Sequence, residues 1–274
     1  MPLVEVNGVG LYREVVGDGD PLVLVHGSWD DHYAWLRVRD AFAERFRVLV
    51  YDRRGHSRSE RPPGQGTRFE DEEDLAALIT ALGSGPAYVA ANSFGASTAL
   101  GLAARRPELF RGLTVHEPPL LDVVADDPVP LPMITSVRQE LAAVLDHLRA
   151  GEDLEGARRF MDGIALGPGE WDKLPDKARD TVVANAPTFL DEHGDPAWAA
   201  LDLDRLAGRA VPLLVTHGTT SPAWLHPIAA RLTETLPQAR AHVFEGSGHV
   251  PHVTSPEEYV DVVTGFVEEI RRAG

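Results

Sequence analysis

A chain of 274 residues with 43% hydrophobic and 25% charged side chains has the length and balance of one globular core, with room for an insertion. Its formal charge of −16 argues against nucleic acid and anionic membrane as partners, and its densest basic cluster (Arg53, Arg54, Arg58, Arg61) is too short to offset that. The absence of cysteine excludes disulfides, thiolate zinc sites and a cysteine nucleophile. No apolar run reaches the ~18 residues of a membrane helix and no signal-peptide pattern opens the chain, so a cytoplasmic location is expected.

Leu3 to Val6 and Leu11 to Val16 alternate apolar and polar around Asn7-Gly8, a hairpin signal. Leu22 to Val25 is a continuous apolar run, as in a strand covered on both faces, and it ends at His26-Gly27-Ser28-Trp29. A helix is predicted over Trp35 to Phe46 and a buried strand over Arg47 to Tyr51, followed by the polar loop Asp52 to Ser59. Asp52, Arg53, Gly55 and Ser59 read as structural supports of that loop. Glu70 to Leu82 reads as a helix with acids at its favourable end.

Ala87 to Ala91 then reads as a strand and Phe94 to about Arg106 as a helix. Ser93 sits between them with no room for an ordinary loop. Such a turn strains the backbone and pushes the side chain out above the sheet, with the small residues Ala91 and Gly95 allowing the close approach. A helix-opening serine is the competing reading, since serine is also a good N-cap. One more strand is predicted at Gly112 to Val115. From Pro119 to Gly208 the pattern is helical, without a strand. Strands resume at Val211 to Thr216 and Ala241 to Phe244, with helices over Pro222 to Leu236 and Pro256 to Ile270. Alternating strands and helices predict an α/β chain with a mostly parallel sheet, core 1–118 and 209–274, carrying residues 119–208 as an insertion.

A serine hydroxyl attacks only when a base takes its proton and a third group orients that base. His249, in Gly246-Ser247-Gly248-His249, is the candidate base, with His252 as the alternative. Elbow, His-Gly turn, Asp-x-Arg-Gly loop, mid-chain insertion and late Gly-x-Gly-His occur in the order of the α/β-hydrolase fold superfamily, which the chain resembles outside residues 119–208. The resemblance implies an eight-stranded sheet whose first pair is antiparallel, and a helical cap. It implies oxyanion donors from the backbone of Ser28 and Phe94.

The superfamily commonly places its acid after the penultimate strand, where this chain has His217-Gly218-Thr219-Thr220-Ser221-Pro222. Glu117, in Thr114-Val115-His116-Glu117-Pro118, falls at the ligand-binding edge of the sheet and is the candidate acid. Asp202 and Asp204 are alternatives, but they precede the penultimate strand. Acid placement, the His-Glu-x-Pro turn and Pro-x-Val-(Ser/Thr)-x-Pro after the histidine resemble zearalenone lactonase, a member of the same superfamily.

A serine at the elbow, where the similar dehalogenases and epoxide hydrolases carry aspartate, implies an acyl-enzyme and a carboxylic ester or lactone substrate. Trp29, Met133, Phe160, Met161, Trp171, Phe189 and Trp198 are candidate contacts for a hydrophobic small molecule. Carbon–carbon bond hydrolysis by the same triad and non-catalytic ligand binding are the alternatives. No cofactor and no metal is expected: Asp30, Asp31 and His32 lack companion ligands, His116, His217 and His226 are scattered, and no phosphate loop is present. The sequence leaves a homodimer open.

Overall fold

Asn7 and Gly8 both take positive φ, 47° and 73°, the geometry of a two-residue hairpin turn that matches strand twist. They join β1 (Leu3–Val6) to β2 (Val9–Val16), with Val6 opposite Val9. The computed structural model describes residues 3–64, 66–83 and 85–273; Met1, Pro2 and Gly274, at the ends of the two predicted core segments, lie outside these. An eight-stranded sheet is completed by β3 (Asp20–Val25), β4 (Phe46–Tyr51), β5 (Ala87–Asn92), β6 (Phe110–His116), β7 (Leu213–Gly218) and β8 (Ala239–Phe244). The order is β1-β2-β4-β3-β5-β6-β7-β8, antiparallel at β1–β2 and β2–β4 and parallel at every later pair.

Parallel neighbours require crossovers, and helices supply them. They are α1 (Leu36–Ala43), α2 (Arg68–Ala81) and α3 (Ser93–Arg105). Between β6 and β7 the chain runs through α4 (Leu131–Arg149), α5 (Asp153–Phe160), α6 (Asp176–Ala184), α7 (Ala186–Gly194) and α8 (Leu203–Ala207), with no strand among the described residues. After β7 come α9 (Leu225–Thr235), α10 (Pro251–Thr254) and α11 (Pro256–Ala273). None of the described helices is long and apolar enough to cross a membrane.

The continuous apolar strands make sense on this architecture. Leu22 and Leu24 of β3 face α1 and α11, packing with Trp35, Phe42, Tyr259 and Val263, whereas Val23 and Val25 face the other core with Leu75, Ile79 and Leu100. Most boundaries shift by one to three residues from the sequence expectation, and two of the shifts have a visible cause. The helix predicted to Phe46 stops at Ala43, because Phe46 pairs opposite Asp20 and its buried ring packs on Phe42 and Tyr88. The strand predicted from Val211 begins at Leu213, after Pro212, which has no N–H to donate.

Candidate active site

β5 ends at Asn92 and α3 begins at Ser93, whose φ of 53° lies in the left-handed region. For a residue with a Cβ that conformation costs about 1–3 kcal/mol and persists only where the surroundings enforce it. They do so here. A Cβ on Gly95 would collide with the carbonyl oxygen of His26, and one on Gly27 would come within 2.9 Å of the Ser93 Cβ. Strand, helix and His-Gly turn therefore meet closely enough to leave Ser93 no other place.

β6 is followed by another strained residue, Glu117, at φ 48°. Its side chain is fully buried and held from two directions. The Gly218 N–H donates to Oε1 at 2.9 Å, and His249 Nδ1 lies 2.6 Å from Oε2. A carboxylate only accepts, so Nδ1 carries the proton and Nε2 keeps its lone pair. Burial alone pushes the Glu117 carboxyl up. His116, 3.4 Å from the same oxygen, and the hydrogen bond from His249 outweigh this and hold it well below the usual carboxylate range. The His249 loop is fastened by Asn92, whose Nδ2 donates to the His249 carbonyl at 2.9 Å, and by close passage over Gly218, where a Cβ would strike the Ser247 carbonyl.

His252 lies elsewhere, 4.3 Å from the Trp35 ring, and burial pushes its pKa down to about 3. Asp202 caps α8 by accepting from the Arg205 N–H, and Asp204 lies within that helix.

On the other side of Ser93, the loop after β3 is tied to an ionic cluster. The Gly27 carbonyl accepts from His26 Nδ1 at 2.8 Å and from Arg53 Nη1 at 3.2 Å. Arg53 is 1% exposed; it bonds Asp71 of α2 through Nε (3.3 Å) and Nη2 (2.9 Å), and its Nη2 lies 2.7 Å from Glu192 Oε1 of α7. The Ser28 hydroxyl donates to the other Glu192 oxygen at 2.6 Å. Phe94 is the second residue of α3, so its N–H is among the first-turn amides that lack an intrahelical partner, and Arg53 stacks over its ring at 4.8 Å.

Ser28, Ser93, Phe94 and His249 line one cavity that opens to solvent. Among the described residues no hydrogen bond joins the Ser93 hydroxyl to the imidazole; such bonds often tighten only once substrate is bound. The remaining wall is mainly apolar. Phe160, Phe189 and Trp198 are among the candidate contacts that reach it, together with Leu141, Ile164 and Trp224. Trp29, Met133, Met161 and Trp171 lie outside its lining: Trp29 is buried behind Phe160 and Phe189, at 5.3 and 4.7 Å, and the other three pack into the core. Ile164 reaches the wall from a π-helical turn, Met161–Ala165, a local irregularity common at functional sites.

His193 also lines the cavity. Its Nδ1–H donates to the Phe189 carbonyl, and burial pushes its pKa down to about 4, so a neutral ring is presented. Nothing local in the sequence marks His193 or Glu192; only their neighbour Phe189 points to this helix.

Among the described residues, two sets bring metal-type ligand atoms within 4.8 Å: His116, Glu117 and His249, and Asp31, His32 and Asp52. In each set one histidine is already bonded to a carboxylate. His249 to Glu117 is 2.6 Å and His32 to Asp52 is 2.5 Å, whereas ligands of a tetrahedral zinc at about 2.1 Å stand roughly 3.4 Å apart.

Comparison with known proteins agrees with this architecture. A model of the alpha/beta hydrolase family matches residues 22–262. An uncharacterized hydrolase of Bacillus subtilis, YraK, is 37% identical over 123 residues, which cover 44% of this chain and 45% of that protein. The structure of an alpha/beta hydrolase from Sphaerobacter thermophilus DSM 20745 is similar with a TM-score of 0.79 at 30% identity, covering 96% of this chain and 99% of that one. That of Est816, an N-acyl homoserine lactone degrading enzyme, is similar with a TM-score of 0.75 at 26% identity, covering 97% and 100%. The family match runs from β3 into α11, across nearly the whole sheet, and the chain therefore belongs to the alpha/beta hydrolase family and is a hydrolase.

Proposed function

We propose that this hydrolase cleaves a carboxylic ester or lactone of a hydrophobic small molecule through an acyl-enzyme. The observation that carries the reading is the bond from His249 Nδ1 to a buried Glu117 whose other oxygen is held by the Gly218 amide. That contact fixes the tautomer in which Nε2 can accept a proton. Ser93 Oγ attacks the acyl carbon as His249 takes its proton. The alcohol then leaves with that proton, and a water activated by the same imidazole hydrolyses the acyl-enzyme to the free acid. With a lactone, both ends stay in one hydroxy acid.

The N–H groups of Ser28 and Phe94 serve as the oxyanion hole, the latter at the positive end of α3. Residues 119–208 act as the cap, since Leu141, Phe160, Ile164, Phe189 and Trp198 come from that stretch and supply the apolar wall. Similarity to Est816, which degrades N-acyl homoserine lactones, supports a lactone within this class.

A fluorophosphonate probe should label the wild-type protein at Ser93 and leave Ser93→Ala untouched, read by intact mass and peptide mapping. An unlabelled wild type would refute the acyl-enzyme and favour ligand binding without turnover. Assays with aryl esters and lactones against vinylogous diketones separate ester cleavage from carbon–carbon bond hydrolysis, and preferential turnover of the diketone would overturn the ester assignment.

A further inference from the structure

Building on Ser28 as an oxyanion donor, we infer that Glu192 of α7, together with Arg53, is a positioning residue that aims the Ser28 N–H into the active site. The geometry of one peptide unit carries the argument. Gly27 C=O and Ser28 N–H belong to the same planar trans peptide, so they point to opposite sides. Arg53 Nη1 and His26 Nδ1 both donate to the Gly27 oxygen and hold it on the Arg53 side, which directs the Ser28 N–H the other way. One end of Ser28 is thereby set.

The other end is set by Glu192. The Ser28 hydroxyl donates to Oε2 at 2.6 Å while Arg53 Nη2 sits 2.7 Å from Oε1, so a ring closes through Gly27, Arg53, Glu192 and Ser28. Asp71 anchors the guanidinium from α2, and the Phe94 ring lies beneath it. One buried cation thus touches the peptide unit that carries one oxyanion donor and the ring of the residue that carries the other. A buried ion pair is weak evidence for stability, because desolvation offsets most of its attraction. Placement beside the reacting serine gives it a role that stability alone does not.

Glu192 belongs to the helical stretch between β6 and β7, whereas Gly27, Ser28 and Arg53 belong to the sheet edge. Position of α7 and direction of the Ser28 N–H are therefore linked. The N–H stabilises charge that exists only in the transition state, so loosening it lowers kcat and leaves KM almost unchanged.

The test uses Ser28→Ala, which keeps the N–H and the Arg53–Glu192 pair and so does not threaten folding. With an aryl ester, kcat should fall about tenfold at constant KM, less than the 10²–10³ expected for complete loss of one donor. Glu192→Gln should lose about as much, and the double variant no more than the worse single, because both act through one group. Affinity for an aryl boronic acid, which forms a tetrahedral adduct on Ser93, should weaken by the same factor as kcat/KM. A Ser28→Ala enzyme with unchanged kcat and boronate affinity would overturn the positioning role. So would a fall in kcat without any change in boronate affinity. A wild type that forms no boronate adduct would instead sink the serine-hydrolase reading beneath it.

Discussion

Glu117 and Glu192 are 1% and 5% exposed, yet burial leaves them with opposite outcomes. Burial raises both carboxyls. At Glu117 two histidines outweigh it, and the acid ends well below its ordinary range. At Glu192 burial prevails over Arg53, in part because Asp71 adds negative charge beside the same guanidinium, and the acid ends raised. The difference matches the roles proposed for the two side chains. In that proposal Glu117 stays ionised to fix a tautomer, and a backbone amide and an imidazole N–H keep it so. Glu192 needs only to present acceptors in a fixed place. A neutral amide could do that in part.

The same conservative change at both positions therefore breaks the comparison most directly. Glu117→Gln should keep the fold and lose on the order of two to four decades of kcat, since an amide can favour the wrong imidazole tautomer. Glu192→Gln should lose only about one decade, as argued above for the Ser28 N–H. Steady-state kinetics on one aryl ester decides it, and equal losses would erase the distinction between orienting acid and strut. Truncation at Glu192 tests the strut in another currency, stability. Glu192→Ala leaves Arg53 buried with Asp71 alone and should cost about 2–3 kcal/mol in urea unfolding, below the ~3–5 of an isolated pair because Asp71 still faces the guanidinium. No measurable cost would mean that water already reaches the guanidinium.

How far each flank is legible in the sequence follows the same division. The sheet is readable because its strands are buried on both faces, as Leu22 to Val25 illustrate, with alternate residues in separate cores. Glu117 is readable because it ends a strand at the edge where ligands bind in such sheets. Glu192 is not. Leu190-Asp191-Glu192-His193 looks like a solvated helix face, and only tertiary contact separates half-buried Asp191 from Glu192 beside it. Arg53 reads as a support for its own loop, and only folding brings it against Gly27. The cavity wall divides likewise: Phe160, Phe189 and Trp198 are recognisable by size, but the rotation of α4 that brings Leu141 to the wall, and the π-helical turn that brings Ile164, leave no local signal.

The contrast also has a pH signature, through Asp30 on the Ser28 loop. Burial, with Asp31 and Asp52 nearby, pushes its carboxyl up to about 7 against a backbone hydrogen bond from Asp31 and the nearby His32. A folded pKa above the unfolded 3.8 means that this group's contribution is present below about pH 4 and is lost as pH rises through 7. Glu117 has the opposite sign: its depressed pKa stabilises above the unfolded carboxylate range and is lost as pH falls. Asp30→Asn should thus match the wild type near pH 4, gain on it between pH 4 and 7, and hold a constant lead above. Discounted for partial exposure, that lead is roughly 1–2 kcal/mol, a few degrees in Tm. Thermal melts from pH 4 to 8 measure it. A lead of constant size throughout would trace to packing, whereas growth confined to that interval ties this part of the alkaline loss to the Asp30 carboxyl.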